Sequence, residues 1–316
     1  MKFSKDFKEI KGDASFRKFY RNTKKNSIIV FANKEKTKNL LIYDSINKIL
    51  IKNNIIAPQL LSQNYKKNYI EIQDLGKKTI YQIFSNYKKK QYPIFKKAIN
   101  VLNKIQLVKD KKIKNFKNEF YLIKDYKNKI LLDEANLFSY WYVPKKLDKK
   151  KINIFKTKFN REIKLLLSKL HFKNDTFVHR DFHVSNLIVN SKNQIGLIDN
   201  QDALIGNKAY DLASLIDDVR YETSNSLKEK VYNYYLMTNK KIDADKFKND
   251  YDILSVLRNL KIIGIFMRLA ERDKKRKYLK LIPYAWKMID NRIGKNKDLV
   301  NLKLLLETNF PKFITK

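Results

Sequence analysis

Residues 178–189 read VHRDFHVSNLIV, and residues 195–202 read IGLIDNQD. In each stretch a short apolar run borders a polar loop, which indicates two short β-strands with polar residues at their ends. Asp181 precedes Asn186 by five positions, and Asp199 follows the second apolar run. A hairpin of these strands would bring Asp181, Asn186 and Asp199 to one cleft.

These side chains fit the requirements of phosphoryl transfer. One carboxylate has to receive or orient the proton of the attacking hydroxyl, while a separate carboxylate and an amide oxygen hold Mg²⁺ against the nucleotide phosphates. Asparagine suits the metal role because it supplies a hard oxygen without adding a negative charge beside the phosphates. Each residue alone is more simply interpreted as a polar loop residue that caps a turn. Their joint spacing favours a kinase site.

The rest of the chain predicts an α+β fold with two lobes. Strand-like stretches lie at 15–21, 27–32 and 69–72. Between 38 and 53, and for most of the chain after Gly76, apolar residues recur at helical spacing instead. We therefore expect a β-rich N-terminal lobe, residues 1–76, which ends in a short connector. A larger helical C-terminal lobe, residues 77–316, would carry the polar loops.

Composition limits the classes of function. The chain has 316 residues, of which 43% are hydrophobic and 32% charged, an ordinary globular mixture. It contains no cysteine, which excludes disulfides, thiolate metal sites and cysteine nucleophiles. The formal net charge of +37 attracts anions. However, abundant Lys, Asn, Ile, Tyr and Phe with scarce Arg, Gly, Pro and Ala also follow from AT-rich codons, so we expect no specific nucleic-acid partner.

No targeting or membrane-spanning segment is visible. The first ten residues, MKFSKDFKEI, lack the apolar core of a signal peptide. The most apolar helical stretch, 253–270, is interrupted by Arg258, Lys261 and Arg268, whereas a bilayer span needs about 20 largely apolar residues. We expect a cytoplasmic protein without a membrane partner, and the oligomeric state stays open.

The motif HRDFHVSN at 179–186, followed by LIDNQDALIGNKAYDLASLIDD at 197–218, resembles the aminoglycoside phosphotransferase superfamily of protein-kinase-like enzymes. Three further stretches are similar to the bacterial cell-wall sugar kinases, which phosphorylate N-acetylmuramate and N-acetylglucosamine at the anomeric hydroxyl. They are GDASFRKFYR (12–21), EANLFSYWY (134–142) and RLAERD (268–273). The resemblance implies a two-lobed kinase-like fold, ATP and Mg²⁺ as cofactors, and an amino sugar as the small-molecule substrate.

Two alternatives stay open. A kinase of another small acceptor, of the aminoglycoside, choline or homoserine type, is the nearer one. A non-catalytic, basic nucleic-acid-binding protein on the same fold is the other.

Carried onto this sequence, the resemblance implies that Asp181 is the catalytic base and that Asn186 and Asp199 are the Mg²⁺ ligands. His179 and Arg180 are expected to brace the loop backbone. Asn200 stands where the superfamily usually has phenylalanine, which is expected to change the packing behind Asp199 without removing a metal ligand.

The resemblance also outlines a nucleotide site. It implies that Ser15 and Arg17 lie in a hairpin over the phosphates, and that backbone groups of Gln73 and Leu75 bond adenine. Without the resemblance, this stretch would be interpreted as an ordinary turn. Arg17 would then either neutralise a phosphate or be a surface residue of a strand. The strand at 28–32 carries no lysine where most protein kinases have one, so the cation that contacts the phosphates is not identified.

On the acceptor side the resemblance implies Glu134 and Trp141, because a carboxylate binds sugar hydroxyls and an aromatic face stacks on a pyranose. An equally weighted interpretation places Phe138, Trp141 and Tyr142 in a helical core. Asp202 is assigned to the substrate, although a place beside the metal stays open. The chain shows no acidic cluster suited to a polycation, which favours a neutral or anionic acceptor such as N-acetylmuramate.

Overall fold

A computed structural model describes residues 6–10, 17–33, 38–87 and 91–314. Contacts divide the chain into two units: unit 1 comprises Met1–Lys124 and His179–Leu204, and unit 2 comprises Asp125–Val178 and Ile205–Lys316. The predicted boundary at residue 76 does not coincide with this division and stays a prediction about lobes.

The regular elements confirm the predicted α+β class. The strands are β1 (Phe7–Ile10), β2 (Arg17–Asn22), β3 (Ser27–Ala32), β4 (Leu60–Asn64), β5 (Tyr69–Gln73), β6 (Lys112–Lys114), β7 (Phe120–Leu122), β8 (Thr176–Val178), β9 (Leu187–Val189), β10 (Ile195–Leu197) and β11 (Leu204–Gly206). The helices are α1 (Asn39–Lys52), α2 (Ile80–Asn86), α3 (Gln91–Gln106), α4 (Asn128–Leu137), α5 (Lys149–Ser168), α6 (Ala209–Ile216), α7 (Asn225–Thr238), α8 (Ala244–Glu271), α9 (Ile282–Ile293) and α10 (Val300–Asn309).

An antiparallel sheet in the order β1-β2-β3-β5-β4 forms the first part of unit 1. Its central strand β3 reads SIIVFA, a run of β-branched and aromatic residues that favours extended backbone. The turn before β3 is stabilised by Asn22, whose side-chain oxygen accepts hydrogen bonds from the backbone N–H groups of Lys24 and Lys25. The predicted strand at 15–21 begins at Arg17 in the described residues.

Helix α1 covers one face of this sheet. The buried residues of the contact come from β3, β5 and α1, and they are Val30, Ala32, Leu40, Tyr43, Ile70 and Ile72. Arg17 of β2 stands opposite Ala32 in the antiparallel register. Because directly paired residues project from the same face of a sheet, Arg17 projects on the face that α1 covers.

The β9–β10 hairpin belongs to unit 1 because it is hydrogen-bonded to that part of the chain. The N–H of Val189 donates to the carbonyl of Lys78 at 2.9 Å, and the N–H of Leu197 donates to the carbonyl of Ile56 at 2.8 Å. The N–H of Tyr81, in the first turn of α2, donates to the carbonyl of Val184 at 3.0 Å. The loop that carries the sequence motif is therefore held by the chain that follows β5.

Unit 2 is built around α8, whose residues are mostly buried. A methyl group at Gly264 of α8 would lie 2.3 Å from the backbone of Leu137, so only glycine lets this helix cross the end of α4 so closely. An aromatic core lies beside this crossing and comprises Phe138, Tyr142, Phe155, Phe159, Trp286 and Phe310. Among the described residues, no helix is long and apolar enough to cross a membrane.

A buried ionic cluster joins four helices of unit 2. Asp217, at the end of α6, accepts from Lys228 of α7 at 3.0 Å, from Ser255 of α8 at 2.6 Å and from Arg292 of α9 at 3.0 Å. Burial opposes ionisation of this carboxyl, but the two cations and their hydrogen bonds outweigh it and hold the pKa of Asp217 well below its usual range.

Replacing Asp217 by asparagine should lower the free energy of unfolding at pH 7 by about 3–5 kcal/mol, because buried Lys228 and Arg292 lose their counter-ion. A lowered native pKa stabilises the protein above the unfolded-state pKa of about 3.9, and this contribution declines as the pH falls below that value. The difference in the free energy of unfolding between the wild type and Asp217→Asn should be constant from about pH 6 to 8 and should become smaller below about pH 4. Urea unfolding followed by circular dichroism measures both quantities.

Asp298→Asn is the matched control, because Asp298 forms an ion pair at 2.9 Å with Lys169, whose side chain is 46% exposed. Loss of this pair should cost less than about 1 kcal/mol. Equal costs for the two variants, or a gap that does not narrow in acid, would contradict the assignment.

Candidate active site

The β9–β10 hairpin brings two of the predicted site residues together. Asn186 immediately precedes β9, and Ile198 immediately follows β10. The N–H of Ile198 donates to the carbonyl of Asn186 at 3.1 Å, which closes the open end of the hairpin. Asp199, the next residue, therefore lies beside Asn186.

Asp181 is tied to the same end of the hairpin. The side-chain amide of Asn186 donates through Nδ2 to the carbonyl of Asp181 at 3.0 Å, and the N–H of His183 donates to that carbonyl at the same distance. This bond orients the amide of Asn186. Its Oδ1 accepts no hydrogen bond from the part of the chain that the structure describes. The structure thus brings Asp181, Asn186 and Asp199 together within unit 1.

Asp199 has a left-handed backbone conformation, and several charged groups act on its side chain. Its φ of 65° lies in the left-handed region, which aspartate adopts more readily than most non-glycine residues. Burial raises the pKa of its carboxyl, Arg17 opposes that rise, and the charges of Asp181 and Asp202 add to it. The segment therefore concentrates negative charge.

Arg17 supplies the cation that faces this segment. Its Nη2 donates to Oδ1 of Asp199 at 2.6 Å, and its Nη1 donates to the side-chain oxygen of Gln201. The Arg17 side chain is only 4% exposed, and its guanidinium carbon lies 5.7 Å from the Phe19 ring centroid and 5.8 Å from that of Tyr43. The rings of Phe19 and Tyr43 and the acceptor atoms of Asp199 and Gln201 therefore contribute to the position of the guanidinium.

A chain of hydrogen bonds lies behind Asp199. Asn200 is fully buried; its Oδ1 lies 2.7 Å from His179 Nε2, and its Nδ2 donates to Asn47 of α1 at 2.7 Å. The N–H of Asp181 donates to His179 Nδ1 at 3.3 Å, so the ring proton belongs on Nε2 and donates to Asn200. His179 braces the loop as predicted. Asn200 does more than change packing, because it joins the loop to α1 through hydrogen bonds that phenylalanine cannot make.

The predicted connector is held rigidly. Arg21 forms a bidentate ion pair with Asp74 and also donates to the carbonyl of Gly76 at 3.0 Å. Gly76 has a φ of 127°, which favours glycine. The N–H of Gln73 donates to the carbonyl of Gln59 at 2.8 Å, so it is occupied within the sheet. The N–H of Leu75 has no acceptor in the described ranges, which suits the predicted contact with a ligand.

Glycine at 196 allows the hairpin to approach this connector. A methyl group there would lie 2.8 Å from Leu75 Cδ1 and 2.9 Å from Ile56 Cγ2. The close packing positions the connector against the strand that leads to Asp199.

The donor set fits Mg²⁺. Asp199 offers a carboxylate and Asn186 an amide oxygen, which are hard ligands of the kind this ion prefers. Among the described residues, no group of three or more His, Asp or Glu side chains could hold a metal ion by itself. A Mg²⁺ ion here would take its remaining ligands from phosphates and water, as is usual at nucleotide sites.

The structure locates the remaining predicted residues as follows. Ser15 lies outside the described residues. Asp202 is exposed; it accepts from Gln201 at 2.7 Å, and its charge acts on Asp199, so it lies near the carboxylates of unit 1. Trp141 is half-buried in unit 2, where its neighbour Tyr142 is part of the aromatic core and accepts a hydrogen bond from Trp286 at 3.2 Å.

Glu134 belongs to a polar cluster of unit 2. Its carboxylate pairs with Lys261 of α8 at 3.0 Å and accepts a hydrogen bond from the hydroxyl of Tyr126. The side chains of Glu134 and Lys261 are 14% and 15% exposed. The cluster thus presents both a carboxylate and an ammonium group that are largely, but not completely, buried.

Sequence reasoning missed Asn47, Gln201 and the pairing of Arg21 with Asp74. Asn47 carried a weak signal, because a polar residue interrupts the apolar face of a predicted helix. Gln201 and Arg21 carried none that distinguishes them from ordinary surface residues.

Comparison with known proteins identifies the family. Residues 6–246 match the model of the phosphotransferase enzyme family known as APH. The chain belongs to this family. This phosphotransferase is therefore a kinase that acts on small molecules.

The curated relatives that match most of this chain share one name. The N-acetylmuramate/N-acetylglucosamine kinase of Pseudomonas putida is 26% identical over 301 residues, which cover 93% of this chain and 85% of the relative. The kinase of the same name from Neisseria meningitidis is 28% identical over 282 residues, which cover 86% and 80%.

Solved structures show the same fold. A choline/ethanolamine kinase family protein from Mesorhizobium loti aligns with a TM-score of 0.62 at 11% identity, covering 96% of this chain and 93% of that one. The ADP-bound aminoglycoside phosphotransferase APH(2'')-Ib aligns with a TM-score of 0.58 at 14% identity, covering 90% and 94%. The predicted kinase-like fold is confirmed.

Replacing Asn200 by leucine should lower the free energy of unfolding by about 1–3 kcal/mol, because buried polar groups of His179 and Asn47 lose their partner. The His179 ring should show the Nε2–H tautomer by ¹⁵N NMR in the wild type and lose this single tautomer in Asn200→Leu. The exposed Asn86→Leu change should alter neither. A wild-type His179 ring that is protonated on Nδ1 instead would contradict this chain of hydrogen bonds.

Proposed function

We propose that this phosphotransferase transfers the γ-phosphoryl group of ATP to the anomeric hydroxyl of N-acetylmuramate or N-acetylglucosamine, a step in the reuse of cell-wall sugars. The convergence of Asp181, Asn186 and Asp199 at one end of the β9–β10 hairpin carries the proposal for the reaction. The shared name of the relatives that match most of this chain supports the choice of acceptor.

Asp181 acts as the base in this proposal. Its carboxylate accepts the proton of the anomeric hydroxyl while that oxygen forms a bond to the γ-phosphorus. The bond between the γ-phosphorus and the bridging oxygen breaks, which releases ADP and leaves the sugar 1-phosphate. An anomeric hydroxyl is more acidic than the other hydroxyls of a sugar, so a carboxylate suffices as its base.

The other residues bind and orient the reactants. Asn186 and Asp199 would hold Mg²⁺, which when bound neutralises the negative charge of the phosphates. Arg17 contacts the phosphates, and backbone groups of Gln73 and Leu75 bond adenine. Ser15 stays a predicted phosphate contact.

Glu134 and Lys261 are proposed to serve the acceptor. A carboxylate accepts hydrogen bonds from sugar hydroxyls, and the ammonium group 3.0 Å away suits an anionic substituent. N-acetylmuramate carries a lactyl carboxylate that N-acetylglucosamine lacks. Trp141 is proposed to stack on the sugar ring, and Asp202 to contact a hydroxyl.

The first test measures phosphate transfer from ATP to N-acetylmuramate, N-acetylglucosamine, glucose, choline and kanamycin. We expect transfer to the two amino sugars, with a product that gives no reducing-end reaction because its anomeric oxygen is phosphorylated. Asp181→Asn should lower kcat by at least about 100-fold, since the base is lost, while circular dichroism and the melting temperature stay near those of the wild type.

Asp133→Asn, which removes an exposed carboxylate on α4, is the control and should retain wild-type activity. Transfer to choline or kanamycin alone would overturn the proposed acceptor. Salt-sensitive DNA binding without any transfer would overturn the proposed reaction.

The second test addresses acceptor charge through Lys261→Met. This change should raise KM for N-acetylmuramate by about tenfold or more, because a charge-assisted contact is lost, and should raise KM for N-acetylglucosamine much less. Lys287→Met, in which the lost ammonium pairs with exposed Glu222, should change neither value. An equal rise for both sugars would show that Lys261 only supports Glu134.

A further inference from the structure

The fold places an arginine beside the strand on which this kinase lacks a lysine. Strand β3 reads SIIVFA and carries no cation. The adjacent strand β2 begins with Arg17, which stands opposite Ala32 at the end of β3. The side chain of Arg17 leaves that face of the sheet and reaches Asp199, 182 residues later in the chain.

Arg17 holds Asp199 and Gln201 with different nitrogens. Nη2 donates to Asp199, and Nη1 donates to Gln201, whose own Nε2 donates to Asp202 at 2.7 Å. The guanidinium can therefore release Asp199 while Gln201 and the rings of Phe19 and Tyr43 still determine its position.

Charge balance gives a reason for such a release. Without ligands, the charges of Asp181 and Asp202 repel that of Asp199, and the ion pair with Arg17 offsets part of this repulsion. A divalent cation on Asp199 would stand next to the guanidinium, and two adjacent cations repel each other. Once displaced from Asp199, the guanidinium can bind the phosphates of the incoming nucleotide, because its two N–H groups match two phosphate oxygens.

We propose that Arg17 exchanges partners: it neutralises Asp199 in the nucleotide-free protein and turns to the nucleotide phosphates when the divalent cation takes that carboxylate. Arg17 is then a positioning residue for both ligands. Metal and nucleotide each bind weakly alone and strengthen each other. This inference rests on the proposed ATP and Mg²⁺ site but not on the identity of the acceptor.

The experiment measures binding, not turnover. Mn²⁺ binding is followed by electron paramagnetic resonance with and without ADP, and ADP binding by calorimetry with and without Mg²⁺. In the wild type, ADP should tighten Mn²⁺ binding at least about tenfold. In Arg17→Met, Mn²⁺ alone should bind at least about tenfold tighter than to the wild type, while Mg²⁺-dependent ADP binding should weaken by a similar factor.

Lys18→Met is the matched control, because it removes the same charge from the neighbouring position of β2, where the side chain is exposed and points to the other face. It should leave both affinities unchanged. Arg17→Lys keeps the positive charge but cannot donate to Asp199 and Gln201 through two separate nitrogens. This variant should therefore bind free Mn²⁺ more tightly than the wild type does and should retain part of the affinity for ADP. Melting temperatures establish that each variant is folded.

A purely structural ion pair makes the opposite prediction for Arg17→Met, namely that both ligands bind more weakly, and that result would overturn the exchange. Unchanged metal affinity in both Arg17→Met and Arg17→Lys would overturn it as well. If Arg17→Met does not fold, Arg17→Lys decides alone, and wild-type affinities in that variant refute the proposal. A wild type that binds no nucleotide at all would instead refute the proposed function.

Discussion

The ion pair between Arg17 and Asp199 is the interaction on which the candidate site of unit 1 depends. Burial raises the pKa of the Asp199 carboxyl, the charges of Asp181 and Asp202 add to that rise, and the Arg17 guanidinium opposes it. A segment of like charges stays ordered only when opposite charge or a rigid frame compensates the repulsion. Here the ion pair of Arg17 with Asp199, at 2.6 Å, supplies the opposite charge.

The rigid frame is built from hydrogen bonds. His179, Asn200 and Asn47 form a buried chain of hydrogen bonds that connects the motif loop to helix α1. These hydrogen bonds connect Asn200, the neighbour of Asp199, to α1 and so support the left-handed backbone of Asp199.

The Asp217 cluster of unit 2 shows how differently charge is handled at a place where no ligand is proposed to bind. Asp217 is surrounded by Lys228, Arg292 and Ser255, so its carboxylate is fully compensated and its pKa is held low. Within the described ranges Asp199 forms an ion pair with Arg17 alone, and burial raises its pKa. Full compensation suits a structural cluster, whereas partial compensation leaves a carboxylate able to bind a metal ion.

The local sequence pattern and the motif were enough to predict several strands, helix α1, the convergence of three site residues and the family. The apolar runs predicted β3 and β5, the helical period predicted α1, and the spacing of Asp181, Asn186 and Asp199 indicated their convergence, because a short hairpin relates these residues to one another within one stretch of chain. The same motif indicated the family, which the match to residues 6–246 confirms.

The tertiary structure alone decided which residues hold that stretch. Arg17 meets Asp199 across 182 positions, and Asn200 meets Asn47 across 153. Arg21 with Asp74 and Glu134 with Lys261 are likewise partners that no periodicity relates. Such pairings depend on how the sheet, helix α1 and the hairpin pack, or on the crossing of α4 and α8, and a residue's local spacing carries no information about a partner brought near only by folding.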